Sequence, residues 1–258
     1  MTIRETIKKG MINLKTNGIE EPNLKARLLM QFILNKPRQY LLIYDNQTLS
    51  LRQEVNYFKA IKKIISGVPL QHITHMQEFM KMNFYVDENV LIPRSDTEIL
   101  VEEVINISKK INAKKILDLC TGSGAIAISL AKYIENSEIT AVDISKKALE
   151  IARTNAKNND VENQITFVES DLFKDKYDVI VSNPPYIKRE VIKKLNKDVQ
   201  KEPIIALDGG YDGLDFYRKI INESEKYLKF NGYLCFEIGY DQKEDVIGII
   251  KNKERYIN

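Results

Sequence analysis

Four adjacent residues, Asn183, Pro184, Pro185 and Tyr186, combine a side-chain amide, two restricted backbones and an aromatic ring. Proline fixes its own φ and restricts the residue before it, so the quartet can present acceptors in a preset geometry. A planar –NH2 group is a poor nucleophile, because its lone pair is delocalised. Alkylating it requires acceptors for both N–H bonds while the lone pair is aimed at an electrophile. The Asn183 side-chain carbonyl and the Pro184 backbone carbonyl are two such acceptors, and the Tyr186 ring offers a flat face. No general base has to act first, since the nitrogen becomes acidic only as the new bond forms; orientation is the main catalytic device. The plainer reading of the same residues is a stiff loop that ends a strand.

A second cluster stands at DLCTGSGAIAISLA. Gly122 and Gly124 lie between an apolar strand pattern and a helical one, where glycine allows a tight turn and close approach of a ligand. Asp143 ends the next strand pattern, 19 residues after Gly124, where open α/β sheets place a carboxylate on ribose hydroxyls. The spacing from Asp118 through Thr121, Gly122, Ser123 and Gly124 follows the D-x-x-T-G-S-G form used for S-adenosylmethionine. Asp118 suits a cationic ligand and would be poorly placed beside a pyrophosphate. Asp171, at the end of the third strand pattern, is placed to reach an adenine edge.

These loops need a sheet to position them. Short apolar runs at Lys115–Leu119, Glu138–Ile144, Ile165–Val168, Tyr177–Val181 and Tyr233–Ile238 are mostly separated by helical stretches. That alternation implies βαβ units and a largely parallel, doubly wound α/β sheet with both faces buried. Ligands of such sheets bind at the carboxyl ends of the strands, so the glycine loop and the Asn183 loop face one crevice.

The first 75 residues carry helical signals instead. Ile3, Ile7, Met11 and Leu14 recur at spacings of three and four. Pro22 opens a second helix with Leu24, Leu28, Leu29, Phe32 and Ile33 on its apolar face, and Pro37 stops it. Ser50 caps a third through Val55, Phe58, Ile61, Ile64 and Ile65. The expected organisation is a helical domain over 1–75, a linking β-hairpin within 76–94 with strands around Phe79 to Ile92, and a Rossmann-like domain over 95–258.

Bulk composition narrows the function classes. Of 258 residues, 43% are hydrophobic and 29% charged, with a formal net charge of +3; this fits an ordinary globular protein. Lysines are scattered among Asp and Glu rather than gathered into a stripe, so direct nucleic-acid binding is not expected. Two cysteines, Cys120 and Cys235, without a CxxC spacing, suit a reducing cytosol. No run reaches the roughly 20 apolar residues of a membrane span, and the charged N-terminus does not read as a secretory signal. His72 and His75 lack a third ligand, so no metal site is expected. The expectation is a cytoplasmic monomer.

The motifs together resemble the HemK/PrmC class of release-factor glutamine methyltransferases, from about residue 20 to about 245. The resemblance is carried by GVPLQHITHMQEFM, VLIPRSDTEIL, DLCTGSGAIAISLA, AVDIS, SDLF, SNPPYI, EPIIALDGGYDGLDFYRKI and GYLCFEIGYDQ, in that order. It implies a class I methyltransferase that moves a methyl group from S-adenosyl-L-methionine, leaving S-adenosyl-L-homocysteine. The acceptor would be the glutamine amide in the Gly-Gly-Gln motif of class-one peptide-chain release factors. By motif position, Cys120 to Gly124, Asp143, Asp171, Leu172 and Asn183 would contact cofactor, and Asn183, Pro184, Pro185 and Tyr186 would hold the substrate amide. The helical domain would help to engage the release factor.

Departures accompany the resemblance. Ser95 replaces a usual proline and could form a capping box with Glu98. Cys120 replaces a common glycine, as an inert thiol. Family members continue with two more strands, so the sheet is expected to be cut short, leaving Tyr233–Ile238 as an edge. Asn-Pro-Pro-Tyr alone is shared with amino methyltransferases that act on an exocyclic base nitrogen of RNA or DNA, which stands as the alternative. A cofactor-binding protein without turnover is a third reading.

Overall fold

The computed structural model describes residues 1–171, 175–251, 253 and 256. It divides into two compact units, Met1–His75 with Asn196–Lys201, and Met76–Leu195 with Glu202–Asn258. The hairpin region thus groups with the sheet, and residues 196–201 group with the helices.

The first unit contains α1 (Ile3–Thr16), α2 (Pro22–Leu34), α3 (Arg38–Ile43), α4 (Leu51–Ile65) and α5 (Leu70–Thr74). Capping boxes start α1 and α4: Thr2 with Glu5, and Ser50 with Gln53. Each satisfies two otherwise orphaned N–H groups. The core gathers Ile3, Ile7, Leu14, Ala26, Leu29, Met30, Tyr57, Ile61 and Ile64. Two expectations change here. On α2 the buried stripe is Ala26, Leu29 and Met30, whereas Leu24, Leu28 and Phe32 are exposed. Pro37 ends one helix but also opens the next, since its missing N–H costs nothing at a helix start.

Gly10 shows how tightly α1 packs. A Cβ there would lie 2.3 Å from Tyr57 Oη, whose hydroxyl donates to the Ala26 carbonyl at 3.1 Å. Gly10→Ala is therefore expected to destabilise by about 1–3 kcal/mol through overpacking, although alanine is the better helix former. A denaturant titration showing higher stability would contradict this packing.

The second unit opens with the hairpin β1 (Gln77–Phe79) and β2 (Met82–Phe84), followed by α6 (Ser95–Ile111), β3 (Lys115–Leu119), α7 (Ala125–Tyr133), β4 (Glu138–Asp143) and α8 (Lys146–Asn158). Next come β5 (Ile165–Glu169), β6 (Tyr177–Ser182), α9 (Arg189–Ile192), α10 (Asp215–Tyr227), β7 (Leu228–Phe236) and α11 (Lys243–Lys251). The hairpin is shorter than expected. Val86, Val90 and Ile92 lie outside strands and pack instead on Ala148 and Ile151 of α8. Ser95 is the first residue of α6 and does not cap it; Arg94 holds the capping position without a side-chain bond. Glu98 instead accepts from the Met80 N–H at 2.6 Å, securing a turn whose Met80 and Lys81 both have positive φ.

The five main strands are parallel, in the order β5-β4-β3-β6-β7. Helices α6, α7 and α8 contribute to the core on one face, and Ile220 of α10 packs on the other. The chain leaves β3 for β4 on one side and returns to β6 on the other. That reversal opens a crevice between the loops after β3 and β6. Ser182 Oγ donates to the Leu119 carbonyl at 2.7 Å, tying the two strand ends together.

β7 begins five residues earlier than expected and ends at Phe236. Its pairing to β6 jumps from Tyr177–Leu228 to Val179–Tyr233, with an irregularity between them. Asn231, at φ +60°, and Gly232 lie in the inserted stretch. A side chain at Gly232 would press on the Asp178 carbonyl at 2.8 Å. Among the described residues β7 pairs with β6 alone, at the edge of the sheet.

Candidate active site

The loop after β3 is organised by a buried carboxylate. Asp118 Oδ2 accepts from Thr121 Oγ1 at 2.6 Å and from the Ala127 N–H at 3.1 Å, so one oxygen closes the turn and starts α7. Its Oδ1 is buried without a hydrogen bond among the described residues. Burial pushes the Asp118 carboxyl up to about 7, against the pull of Thr121 and Ala127 and helped by the nearby Asp143.

The two loop glycines have different roles. A Cβ on Gly124 would meet Ile128 at 2.9 Å and Ala152 at 3.1 Å, so glycine lets α7 close on α8. A Cβ on Gly122 would meet nothing nearer than the Cys120 carbonyl oxygen at 4.0 Å. Gly122 therefore leaves bare backbone at the crevice wall. Its N–H donates to Asp143 Oδ2 at 2.9 Å, and Ser145 N–H donates to Asp143 Oδ1 at 2.8 Å. Burial raises the Asp143 carboxyl, opposed by these backbone donors.

Cys120 sits at φ +59°, a conformation that costs a residue with a Cβ about 1–3 kcal/mol. Burial pushes its thiol up to about 12, which keeps it unreactive at neutral pH. Cys120→Gly is expected to stabilise the fold by about 1 kcal/mol. Equilibrium unfolding in urea checks it; an unchanged or lower midpoint would show that the strain is relieved elsewhere.

The crevice holds about 730 Å³ of empty space, open mouth included. Its walls include Val90, Leu91, Val142, Ile144, Ile205 and Phe216 as apolar surface, with Cys120, Gly122, Asp143, Asp171, Asn183 and Pro185 among them. Sequence reading placed these six at one site, and the fold brings them together. Asp118, Thr121, Ser123 and Gly124 lie behind the wall, where they shape the loop. Asp171 reaches the crevice, yet its exposed carboxylate pairs with Lys219 Nζ at 2.7 Å. Leu172 lies outside the described residues.

In the loop after β6, Pro184 and Pro185 are buried, and among the described residues nothing donates to the Pro184 carbonyl. Asn183 Nδ2 donates to Thr97 Oγ1 at 3.2 Å, while its Oδ1 has no donor among the described residues. The Tyr186 ring packs beside the cluster of Leu214, Tyr217, Ile221 and Val246, and its hydroxyl donates to Glu237 Oε1 at 3.3 Å. Burial, with Glu237 beside it, pushes the Tyr186 phenol up to about 12. The ring is partly buried and braces the loop, and it stands outside the crevice walls named above. Gln242 Nε2 holds the Tyr186 carbonyl at 3.0 Å, and Gly209 admits the Tyr186 backbone, where a Cβ would come within 2.7 Å of its Cα.

Three contributors escaped the sequence reading. Thr97 and Glu237 stand inside segments noted only as motifs. Glu202, buried at 4% exposure, accepts from the Ile92 N–H at 2.8 Å and pairs with Arg94. It joins the segment before α6 to the segment of Pro203, Ile205 and Ala206 on the crevice wall.

Known proteins are similar to this chain in sequence. The model of the methyltransferase small domain matches residues 95–206, and that of the PrmC N-terminal domain matches residues 5–74. A release factor glutamine methyltransferase of Clostridium acetobutylicum is 40% identical, covering 98% of this chain and 91% of the relative. That of Moorella thermoacetica is 37% identical, covering 100% and 93%. This chain belongs to the release factor glutamine methyltransferase family.

The family's methyltransferase fold is also seen in the hMettl16 catalytic domain, solved in complex with MAT2A 3'UTR hairpin 6. That domain is 17% identical, with a TM-score of 0.56 over 71% of each chain. A likeness at that identity concerns the fold alone. No helix among the described residues is long and apolar enough to cross a membrane.

Proposed function

We propose that this chain transfers the methyl group of S-adenosyl-L-methionine to the side-chain amide nitrogen of the glutamine in the Gly-Gly-Gln motif of class-one release factors. The observation that carries this reading is the state of the Asn183 loop. One carbonyl on a side chain and one on Pro184 have no donor among the described residues, and Asn183 borders the crevice that Gly122 and Asp143 also line. Family membership supplies the class of amide.

The crevice fits the cofactor. Asp143 keeps acceptor capacity beyond its two backbone donors, which suits a ribose diol. Apolar walls at Val142, Ile144 and Phe216 suit a flat base, and bare backbone at Gly122 leaves room beside it. A cationic ligand in the crevice would favour the ionised form of Asp118, which burial disfavours. S-adenosylmethionine, when bound, supplies an electrophilic methyl group on a sulfonium.

The chain's own residues then have stated tasks. Asn183 Oδ1 and the Pro184 carbonyl accept the two N–H bonds of the amide and so direct its lone pair. Buried prolines keep those acceptors from relaxing. Tyr186 supports the loop through Glu237. Such a protein works in the cytoplasm on a protein substrate, without contacting nucleic acid directly, and as a monomer. The helical unit, proposed as residues 1–75, would assist in engaging the release factor.

The test mixes the protein with methyl-labelled cofactor and either a release factor or total nucleic acid. Label is expected on one glutamine of the release factor. Label confined to nucleic acid, or absent despite bound cofactor, would overturn this assignment.

A further inference from the structure

The structure assigns Glu237 a positioning role: acting through Thr97, it holds the Asn183 amide with its carbonyl oxygen toward the crevice. This rests on the reading that Asn183 Oδ1 accepts from the substrate amide. The warrant is a count of protons. An ionised carboxylate only accepts hydrogen bonds, and a threonine hydroxyl has one proton to give. Thr97 Oγ1 donates that proton to Glu237 Oε2 at 2.5 Å. Toward Asn183, 3.2 Å away, Thr97 can then only accept. The Asn183 group facing it must be the –NH2, and the carbonyl must point the other way.

Without this chain the two ends of the asparagine amide are nearly interchangeable in shape. Turned over, Asn183 would set its oxygen against a Thr97 oxygen with no proton to share, and would offer the substrate a donor where an acceptor is required. The same carboxylate also receives Tyr186 Oη on its other oxygen at 3.3 Å, so Asn183 and Tyr186 are both secured to Glu237. Glu237 is itself fixed: its N–H donates to the Ser182 carbonyl at 3.1 Å, and its own carbonyl accepts from Tyr217 Oη at 2.9 Å. All of these groups belong to the second unit.

Thr97→Val keeps the side-chain shape and removes only the hydroxyl, and Thr97→Ser keeps the hydroxyl. With methyl-labelled cofactor and a release factor, Thr97→Val should lower kcat about 10- to 100-fold. Cofactor Kd should stay close to wild type, while the thermal midpoint falls by a few degrees as Glu237 and Asn183 lose their buried partner. Thr97→Ser should recover kcat to within about 3-fold, since the proton count is restored. In an Asn183→Ala background, Thr97→Val should have no further effect on the residual rate.

Three outcomes would overturn the positioning role. In the first, Thr97→Val turns over as fast as wild type while Asn183→Ala is inactive; the site reading then stands and the relay does not. In the second, Thr97→Val loses cofactor affinity in step with rate. In the third, Thr97→Ser is as slow as Thr97→Val. Full activity of Asn183→Ala would instead remove the site reading on which the relay rests.

Discussion

Asn183→Ala is expected to lower methyl transfer to a release factor by about 10²- to 10³-fold, the scale for losing one preorganised polar partner of a reacting group. Cofactor affinity should change little. The reason is in the hydrogen bonding: Asn183 Nδ2 is held by Thr97, whereas the glycine loop is held by Asp118 and Asp143. Removing the amide therefore takes an acceptor from the substrate while leaving the Gly122 loop closed. Single-turnover rates and cofactor titration together check this. A large loss of cofactor affinity with the rate retained at saturation would assign Asn183 to the cofactor instead of the amide.

Glu202→Ala is expected to lower stability by about 3 kcal/mol, the scale for breaking a buried charge pair, and the melting midpoint by roughly 10 °C for a chain of this size. The carboxylate is 2% exposed and its partner Arg94 is 38% exposed. Its loss leaves the Ile92 N–H without its acceptor and opens a space behind Pro203. Because Leu91 and Pro203 border the crevice, a weaker cofactor Kd should accompany the lower midpoint. A calorimetric scan of Glu202→Ala within 2 °C of wild type, by an estimate on the same scale, would show that the pair contributes nothing net.

The difference between these residues explains what could be read in advance. Asn183, Gly122 and Asp143 were legible as neighbours on one crevice, and Pro184 and Gly124 as loop formers, because each position depends on its own backbone or on the end of a strand. Glycine's positive φ, proline's fixed φ and the strand-end position of a carboxylate are local properties, visible within a few residues of sequence. The central strands were legible for a similar reason: Lys115–Leu119 is an apolar run buried on both faces.

The misses have one physical cause as well. On α2 the sequence offers more apolar residues than one face can bury, and only packing selects Ala26, Leu29 and Met30 over Leu24, Leu28 and Phe32. Packing of the Tyr186 ring beside Leu214 and Tyr217, and pairing of its hydroxyl with Glu237, rest on contacts between distant segments that no local pattern shows. Ser95 and Glu98 match a capping spacing, yet the Met80 turn, 18 residues before Glu98, takes its carboxylate.

By itself, then, the sequence determined the doubly wound sheet, the two loops that meet at its reversal and the types of group they present. Tertiary structure alone decided how those groups are aimed. Thr97 and Glu237 are 140 residues apart, and Arg94 and Glu202 are 108 apart. Hydrogen bonds over such separations depend on which strand ends lie side by side. A proton shared between Thr97 and Glu237 sets which end of the Asn183 amide faces the crevice, and no local pattern encodes that direction.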